Sequence, residues 1–575
     1  MNRRSMSFAV CFLAIVCVAA SLRLAGLGDV GIFGVDGGRY ILDGLSKANE
    51  LENGIRLLEG KWSELTGSGE FLLSDFAPEA AERLAQQYPF SPKLGVSYLT
   101  GMVLLWTGPW VSAFSVIEAI AGILLVAVVI VFVGKLRDWP TGLLAGLLLA
   151  VSGYSVYYAR NAYPQSTASL CYVLAVWAHA IAYAPGKDGA RGNRSYLVMS
   201  GALAGIGFWI NYQIAAALPA LAAIQLFASF KGGGAVRGIR QFVSGGLLMT
   251  AGFVAVQLAA EAVTYPWVLL FRSQGMTYPH ATYLELLWPR LVSQSGAPVN
   301  MSGLVLLPYF HGVLEGYPAT LIALVLLTGG GLVAIGTWAS GDSNGRYRAF
   351  VYVMVPFAVP VLIFSLKTMQ GARTFTFALP FFAALLAMAV VAIWRYPTSY
   401  RAPIRMTVVV LMGISFASST VCLREILAIR SAYPVCIAHL KETDSPGACA
   451  AWSSALESYL LQEGLEGGSL YRYVGEERVP PRWYVSDWQE LYDRRYPDEA
   501  VALPAGAEPD RVFDHSFGRI FLEVEAFPSY GNTIDNIRFV QNLDLNRARK
   551  LLVYDLHETG LRSPLTMTAP APLRD

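Results

Sequence analysis

Charged residues are scarce in this chain of 575 residues. Asp, Glu, Lys and Arg make up 15% of the sequence and hydrophobic residues 54%, whereas charged residues usually form about 25% of a soluble domain. This composition excludes an ordinary soluble protein. The apolar residues form runs near the roughly 20 residues that a membrane-crossing helix needs, without the alternation typical of barrel strands. The sequence therefore predicts an all-α polytopic membrane protein.

Two chemical signatures are also missing from the sequence. The six histidines include no pair at helical ligand spacing, so nothing indicates a zinc site. No soluble segment contains a Gly-rich loop of the P-loop or dinucleotide type. The formal net charge of +2 points to no nucleic-acid partner, and no motif assigns a cofactor.

Eleven apolar runs are candidate spans, and they make 1–422 a transmembrane domain. The Gly-rich runs within 196–230 and 318–366 could be divided differently. The predicted spans are 7–26, 112–134, 141–158, 166–184, 196–212, 214–230, 242–263, 318–338, 349–366, 376–396 and 405–422.

The distribution of Lys and Arg predicts a cytoplasmic N-terminus, because short basic loops resist translocation. In that orientation the short external loops carry only three loop cations, Arg160, Lys367 and Arg373. The loop 27–111 and the tail 423–575 then lie outside the cytoplasm. A cleaved signal peptide over residues 1–20 is an alternative for the first run, and it also places residue 27 outside.

The long loop 27–111 has its own helical patterns. Amphipathic helices are predicted at 36–60 and 75–89, each beginning at an Asp that can cap it. The apolar stretch 94–108 is short for a span, and counting it would reverse the charge asymmetry of all later loops. We therefore expect an interfacial or membrane-dipping helix there.

The tail 423–575 predicts a small extracytoplasmic α/β domain. An amphipathic helix is expected around 449–463, and β-like runs occupy 519–526 and 550–556. Cys436 and Cys449 are the only cysteines in the tail, and an oxidising compartment would favour a disulfide between them.

The segment "SVYYARNAYPQ" (155–165) places Arg160 where external cations are rare. Its tyrosines could form an interfacial belt, with the arginine reaching lipid headgroups. Alternatively, Arg160 could bind one particular phosphate, as could Lys367 and Arg373 at the turn before the tenth span. Two acids near the spans, Glu118 and Glu261, are secondary candidates, since both are expected near the headgroups.

An acid that could serve this site occurs in "GIFGVDGGRY" (31–40), soon after the first span. Asp36 could be an ordinary turn or helix-capping residue. Its position near the external end of the span favours a functional role.

Together these motifs resemble the GT-C superfamily of membrane glycosyltransferases, in the branch of protein O-mannosyltransferases and aminoarabinose transferases. "VDGGRY" is similar to that family's acidic motif through Asp36, Arg39 and Tyr40, although Gly37 stands where relatives often have a second acid. "YPFSPKLGVSYL" offers Lys93 beside a proline, and "GARTFTFALPF" offers Arg373. The segment "VYYARNAYPQ" matches a further motif through Tyr157, Tyr158, Ala159, Arg160, Ala162 and Tyr163.

The resemblance implies transfer of a sugar from a polyprenyl-phosphate donor to an acceptor hydroxyl on a glycan, lipid or protein. Asp36 would be the general base of an inverting displacement, and Arg160, Arg373, Lys93 and Lys367 would bind the donor phosphate. Arg39, Tyr40, Tyr158 and Tyr163 would position the substrate. A bound divalent cation stays an open question. Gly37 stands where relatives often have a second acid and no acid occurs within 158–165, and both observations argue against a metal site. The implied location is a bacterial inner (plasma) membrane.

Two other functions would suit parts of the pattern. A polysaccharide polymerase or ligase also uses external arginines with lipid-linked glycans, but it has less need of an acid immediately after the first span. A transporter of lipid-linked glycans would be expected to carry ionisable residues near mid-span and broken helices. The span centres here are nearly free of charge.

Overall fold

The computed structural model describes most of the transmembrane part and five strands near the C-terminus. The described residues are 3–33, 35–58, 93–108, 110–184, 193–230, 234–273, 303–339, 344–365, 372–396, 399–443, 449–451, 454–463, 465, 467–469, 482–487, 508–525 and 533–555. The predicted helix at 75–89 and the predicted site residue Lys367 lie outside these ranges.

Helices dominate the described chain. Up to residue 230 they are α1 (Arg3–Leu24), α2 (Leu27–Val30), α3 (Val35–Leu58), α4 (Leu94–Thr107), α5 (Ala113–Leu136), α6 (Trp139–Ala150), α7 (Gly153–Arg160), α8 (Gln165–Ala182), α9 (Arg194–Ile210), a 3-10 turn at Tyr212–Ala217 and α10 (Leu218–Phe230). From there to residue 442 they are α11 (Ala235–Ser273), α12 (Gly303–Glu315), α13 (Tyr317–Ala339), α14 (Asn344–Ser365), a 3-10 segment at Ala372–Ala378, α15 (Leu379–Arg395), α16 (Arg401–Leu427) and α17 (Tyr433–Glu442).

The helices identify an integral membrane protein but do not confirm a count of eleven crossings. Among the described residues, seven helices are long and apolar enough to span a bilayer, and an eighth span is possible if the bent pair α6–α7 is one crossing. That pair, at the predicted span 141–158, is bent by 57°. Helices α8, α9 and α13 also form at the predicted spans 166–184, 196–212 and 318–338, but they are not among those seven.

Helices α3 and α4 pack closely because glycines face each other. A Cβ at Gly101 would lie 2.8 Å from the backbone nitrogen of Ala48, and a Cβ at Gly44 would lie 2.5 Å from the Thr100 side chain. Small residues of this kind let helix backbones approach each other. The apolar stretch 94–108 forms a helix, as predicted, and this helix packs on α3, which begins at Val35. Its position relative to a bilayer stays a prediction.

Five strands form one sheet near the C-terminus: β1 (Cys449–Ala451), β2 (Gly467–Ser469), β3 (Trp483–Ser486), β4 (Arg511–Asp514) and β5 (Lys550–Asp555). Their order in the sheet is β2-β1-β3-β5-β4. Strand β1 pairs in parallel with β2 and β3, and β5 pairs antiparallel with β3 and β4. The helices of this region are α18 (Ser454–Gln462), α19 (Arg519–Glu525), α20 (Thr533–Gln541) and α21 (Leu545–Ala548).

The predicted elements of the tail have mixed outcomes. The prediction of a strand at 550–556 is confirmed by β5. The prediction of a strand at 519–526 is wrong, because Arg519–Glu525 form helix α19. The helix expected at 449–463 is divided into strand β1 and helix α18. The amide of Ile520, in the first turn of α19, donates to the Glu425 carboxylate at 2.7 Å. This cap comes from a distant helix, so the local pattern could not reveal it.

The predicted disulfide partners lie in the same part of the C-terminal region. Cys436 and Cys449 are both buried. Burial and, to a smaller extent, the nearby Cys436 thiol raise the pKa of Cys449. Both thiols are buried in this region, and the disulfide stays a prediction.

The C-terminal region packs directly on the segment after α1. The Ser431 amide donates to the Val30 carbonyl at 3.0 Å, and the Ala432 amide donates to Nδ1 of His515 at 3.0 Å. The His515 ring lies 5.3 Å from that of Phe33 and 5.1 Å from that of Tyr433. The transmembrane part and the C-terminal region therefore share one buried cluster.

Candidate functional site

Two buried arginines fix the relation between α1 and the α6–α7 bend. Nη1 of Arg160 donates to the carbonyls of Leu22, Arg23 and Ala25 at 3.2, 3.3 and 2.7 Å. Arg23 in turn donates to the carbonyls of Leu149 and Ala150, at 3.2 and 3.1 Å. The last carbonyls of a helix lack partners within the helix, and an arginine there satisfies them and the negative end of the dipole.

Arg160 is only 1% exposed, so it does not reach outward to lipid headgroups. Its Nε and Nη2 have no hydrogen-bond partner among the described residues. Nη1 of Arg160 therefore makes a structural contact, whereas Nε and Nη2 could donate hydrogen bonds to a ligand. The predicted role in phosphate binding stays a prediction.

The α6–α7 bend is held by a carboxylate. Glu315, at the end of α12, accepts hydrogen bonds from the hydroxyl of Ser152 and the amide of Tyr154 at the start of α7. It also accepts from the hydroxyl of Ser419 at 3.0 Å. At the bend, a Cβ on Gly153 would lie 2.0 Å from the Leu314 carbonyl oxygen. Glycine is thus required where α7 begins, and the bend sets the direction of α7, which ends at Arg160.

Four tyrosines from this segment form one cluster, which we name the tyrosine cluster: Tyr154, Tyr157, Tyr158 and Tyr163. Their neighbouring ring centroids lie 5.2 to 5.9 Å apart. The guanidinium carbon of Arg373 lies 5.6 Å from the centroid of the Tyr163 ring, which is a cation–π distance. The structure thus brings together Arg373, Tyr158 and Tyr163, predicted from two distant motifs.

Lys93 and Tyr40 are also brought together. The Lys93 ammonium donates to the Tyr40 hydroxyl and lies 4.6 Å from the ring centroid. Both side chains are buried. Position 36 lies one helical turn before Tyr40 in α3, so the lysine motif meets the helix that carries Asp36. The side chains of Asp36 and Arg39 lie outside the description.

Two further charged side chains of α3 are buried. Asp43 and Lys47 are each 1% exposed, and the Lys47 ammonium lies 5.3 Å from the Tyr98 ring centroid. Positions 36, 40, 43 and 47 follow the spacing of one helical face. No motif indicates Asp43 or Lys47, although their helical spacing from positions 36 and 40 is a signal that could have identified them.

The C-terminal region contacts both helix α3 and the tyrosine cluster. The hydroxyl of Ser458 donates to the Gly38 carbonyl at 3.0 Å, between positions 36 and 40 of α3. The Glu525 carboxylate accepts from the hydroxyls of Tyr157 and Tyr163, each at 2.5 Å. These contacts join residues more than 360 positions apart in the chain, so no local sequence pattern predicts them.

A small recess lies between the segment before α3 and the turn after α7. It is lined by Gly31, Ile32, Phe33, Asn161, Ala162, Tyr163, Phe521 and Glu525. The recess therefore adjoins the start of the Asp36 helix, the tyrosine cluster and helix α19.

The secondary candidate Glu118 serves the end of a helix, and its depth in the membrane stays a prediction. Its side chain is fully buried and accepts hydrogen bonds from the amides of Ser166 and Thr167, at 2.7 and 3.2 Å. Glu118 thus caps the first turn of α8, where unpaired amides favour an anion. No group of three or more His, Cys, Asp or Glu side chains could hold a metal ion among the described residues.

Comparison with known proteins supports the predicted resemblance. The sequence model of the family described as dolichyl-phosphate-mannose-protein mannosyltransferase matches residues 93–257. No curated protein matches the chain.

Two solved structures resemble most of the chain. ArnT from Cupriavidus metallidurans bound to undecaprenyl phosphate is 13% identical, with 86% of this chain and 95% of that chain covered and a TM-score of 0.50. The oligosaccharyltransferase AglB from Archaeoglobus fulgidus, in complex with an inhibitory peptide and a dolichol-phosphate, is 11% identical, with 86% and 71% covered and a TM-score of 0.51. The resemblance to GT-C proteins is therefore confirmed, and the chain is a polytopic membrane protein with the GT-C fold.

Proposed function

We propose that this protein transfers a sugar from a polyprenyl-phosphate donor to an acceptor hydroxyl on the extracytoplasmic side of the membrane. The observation that carries the proposal is the contact between Lys93 and Tyr40, one helical turn from position 36. It places a cation, which suits a phosphate, beside the helix that carries the proposed base. Undecaprenyl phosphate and dolichol-phosphate, named for the two similar structures, support a lipid-linked donor.

Asp36 is the proposed general base. Its carboxylate takes the proton of the acceptor hydroxyl as the hydroxyl oxygen attacks the anomeric carbon of the sugar. The bond from that carbon to the phosphate oxygen breaks in the same step, so the anomeric configuration inverts. The polyprenyl phosphate leaves with the bonding electron pair, and it gains negative charge as it departs.

The departing phosphate needs fixed positive charge. Lys93 and Arg373 are the proposed partners, because each stands beside tyrosines of the candidate site. Fixed cations in a site of low dielectric stabilise such charge more than they would in water. Arg160 keeps two unpartnered donors among the described residues and is a third candidate. Lys367 completes the proposed set by its position in the sequence.

The test uses membranes that contain the full chain and a panel of labelled polyprenyl-phosphate sugars. We expect wild type to consume one donor and Asp36→Asn to lose about 10²- to 10⁴-fold in rate, the usual contribution of a general base. The matched control is Asp29→Asn, the same change at an exposed side chain of α2, which should transfer normally.

Two outcomes would contradict the proposal. Unchanged donor consumption by Asp36→Asn would exclude its role as base. Movement of an intact donor across the membrane, without release of polyprenyl phosphate, would instead indicate a transporter. A thermal melting curve for Asp36→Asn near that of wild type separates lost chemistry from lost folding.

A further inference from the structure

The tyrosine cluster meets an acid that comes from the far end of the chain. The Glu525 carboxylate accepts hydrogen bonds from the hydroxyls of Tyr157 and Tyr163, both at 2.5 Å. Helix α19, which carries Glu525, is anchored through buried Phe521 and Leu522. The carboxylate is therefore held in place by the C-terminal region.

Glu525 also shares its surroundings with the cation proposed to bind phosphate. The Arg373 guanidinium lies over the ring of Tyr163, whose hydroxyl donates to Glu525. A phosphate bound at Arg373 would therefore approach a carboxylate that already uses the two nearest tyrosine hydroxyls.

We propose that Glu525 is a positioning residue of the candidate site, which holds the hydroxyls of Tyr157 and Tyr163 until the donor phosphate binds at Arg373 and takes these donors over. A carboxylate and a phosphate accept the same hydrogen bonds and repel each other. The C-terminal region thereby opposes the binding of the anion and assists its departure after transfer. This inference rests on the proposed function.

The test measures the dissociation constant of sugar-free undecaprenyl phosphate for the purified full-length protein. Glu525→Gln should bind this lipid about tenfold more tightly, because a like charge has been removed from a site of low effective dielectric. The combined variant Tyr157→Phe and Tyr163→Phe should bind about tenfold more weakly, since it lacks two donors to a charged group. A merely structural role for Glu525 would give weaker binding on substitution, never tighter.

Glu523→Gln is the matched control. Glu523 lies two residues away on the same helix and accepts instead from Tyr309 at 3.1 Å and from Arg519. This variant makes the same change of charge away from Tyr157 and Tyr163, so its affinity should stay within about twofold of wild type.

The outcomes separate this inference from the proposed function. If Arg373→Gln weakens binding but Glu525→Gln leaves it unchanged or weaker, the role of Glu525 is overturned and the phosphate site stands. If Glu523→Gln tightens binding as much as Glu525→Gln, the effect is one of net charge and the inference also fails. If wild type does not bind the lipid, or Arg373→Gln binds like wild type, the phosphate site and the inference are both overturned.

Discussion

At the scale of the residue, one sequence signal had two physical explanations. Arg160 was predicted to bind phosphate because cations are rare in the external loops, yet its Nη1 caps the end of α1. The cap joins α7 to α1 across the fold, and local sequence does not encode such pairings. Lys93 and Tyr40 could be predicted as site residues from their motifs, whereas their mutual contact could not. Glu315 and Glu525 were missed for the same reason.

Substitution of Arg160 tests its structural contact. We expect Arg160→Gln to destabilise the protein by roughly 1.5–3 kcal/mol, because three carbonyls lose a charged donor in a buried place. The measurement is thermal unfolding in detergent, with Arg401→Gln, an exposed arginine in the first turn of α16, as the control. Unchanged stability with weaker binding of polyprenyl phosphate would instead make ligand binding its main role.

At the scale of the element, apolar run length predicted where helices form, because burial in lipid demands long internally bonded segments. It could not predict the α6–α7 bend, which depends on Glu315 and Ser419 from two other helices. Nor could it identify α19. Apolar Ile520, Leu522 and Val524 alternate with other residues as in a strand, but the cap from Glu425 and burial of Phe521 favour a helix.

The bend itself can be tested at Gly153. A Cβ there would overlap the Leu314 carbonyl oxygen at 2.0 Å, so α7 must shift in Gly153→Ala. We expect a loss of about 1–3 kcal/mol in stability, as for other overpacked sites, together with slower sugar transfer because the tyrosine cluster moves. Gly246→Ala is the control, since nothing lies within 4 Å of its added Cβ. Equal melting temperatures for the two variants would show that the bend tolerates a side chain.

At the scale of the whole molecule, the C-terminal region is part of the candidate site's architecture. Ser458 contacts the helix of Asp36, Glu525 contacts the tyrosine cluster, and His515 lies against Phe33 just before α3. Composition predicted a separate small domain after residue 422, and it correctly indicated α/β structure there. The docking surface is formed by scattered single residues, so no periodic pattern revealed it.

His515 makes this docking sensitive to acid. Burial lowers the pKa of His515 from 6.5 to about 3, its Nδ1 accepts from the Ala432 amide, and its Nε2 has no partner among the described residues. The unfolded state therefore binds the extra proton between about pH 6.5 and pH 3, and stability must fall as pH decreases through that window. This one group changes the free energy of unfolding by at most about 1.4 kcal/mol per pH unit. Above about pH 6.5 it adds no pH dependence.

We expect acidification to release the C-terminal region from the segment around Phe33. Nε2 of the imidazole has no hydrogen-bond partner among the described residues, and the rings packed around it, those of Phe33, Tyr433 and Phe517, carry no opposite charge. Hydrogen exchange of α17 and β5, followed from about pH 7 to pH 4, measures this release. His515→Gln should flatten the dependence, since glutamine does not titrate, whereas His439→Gln in the same region should retain it. An unchanged slope in His515→Gln would assign the acid sensitivity to other groups and leave His515 as a packing residue.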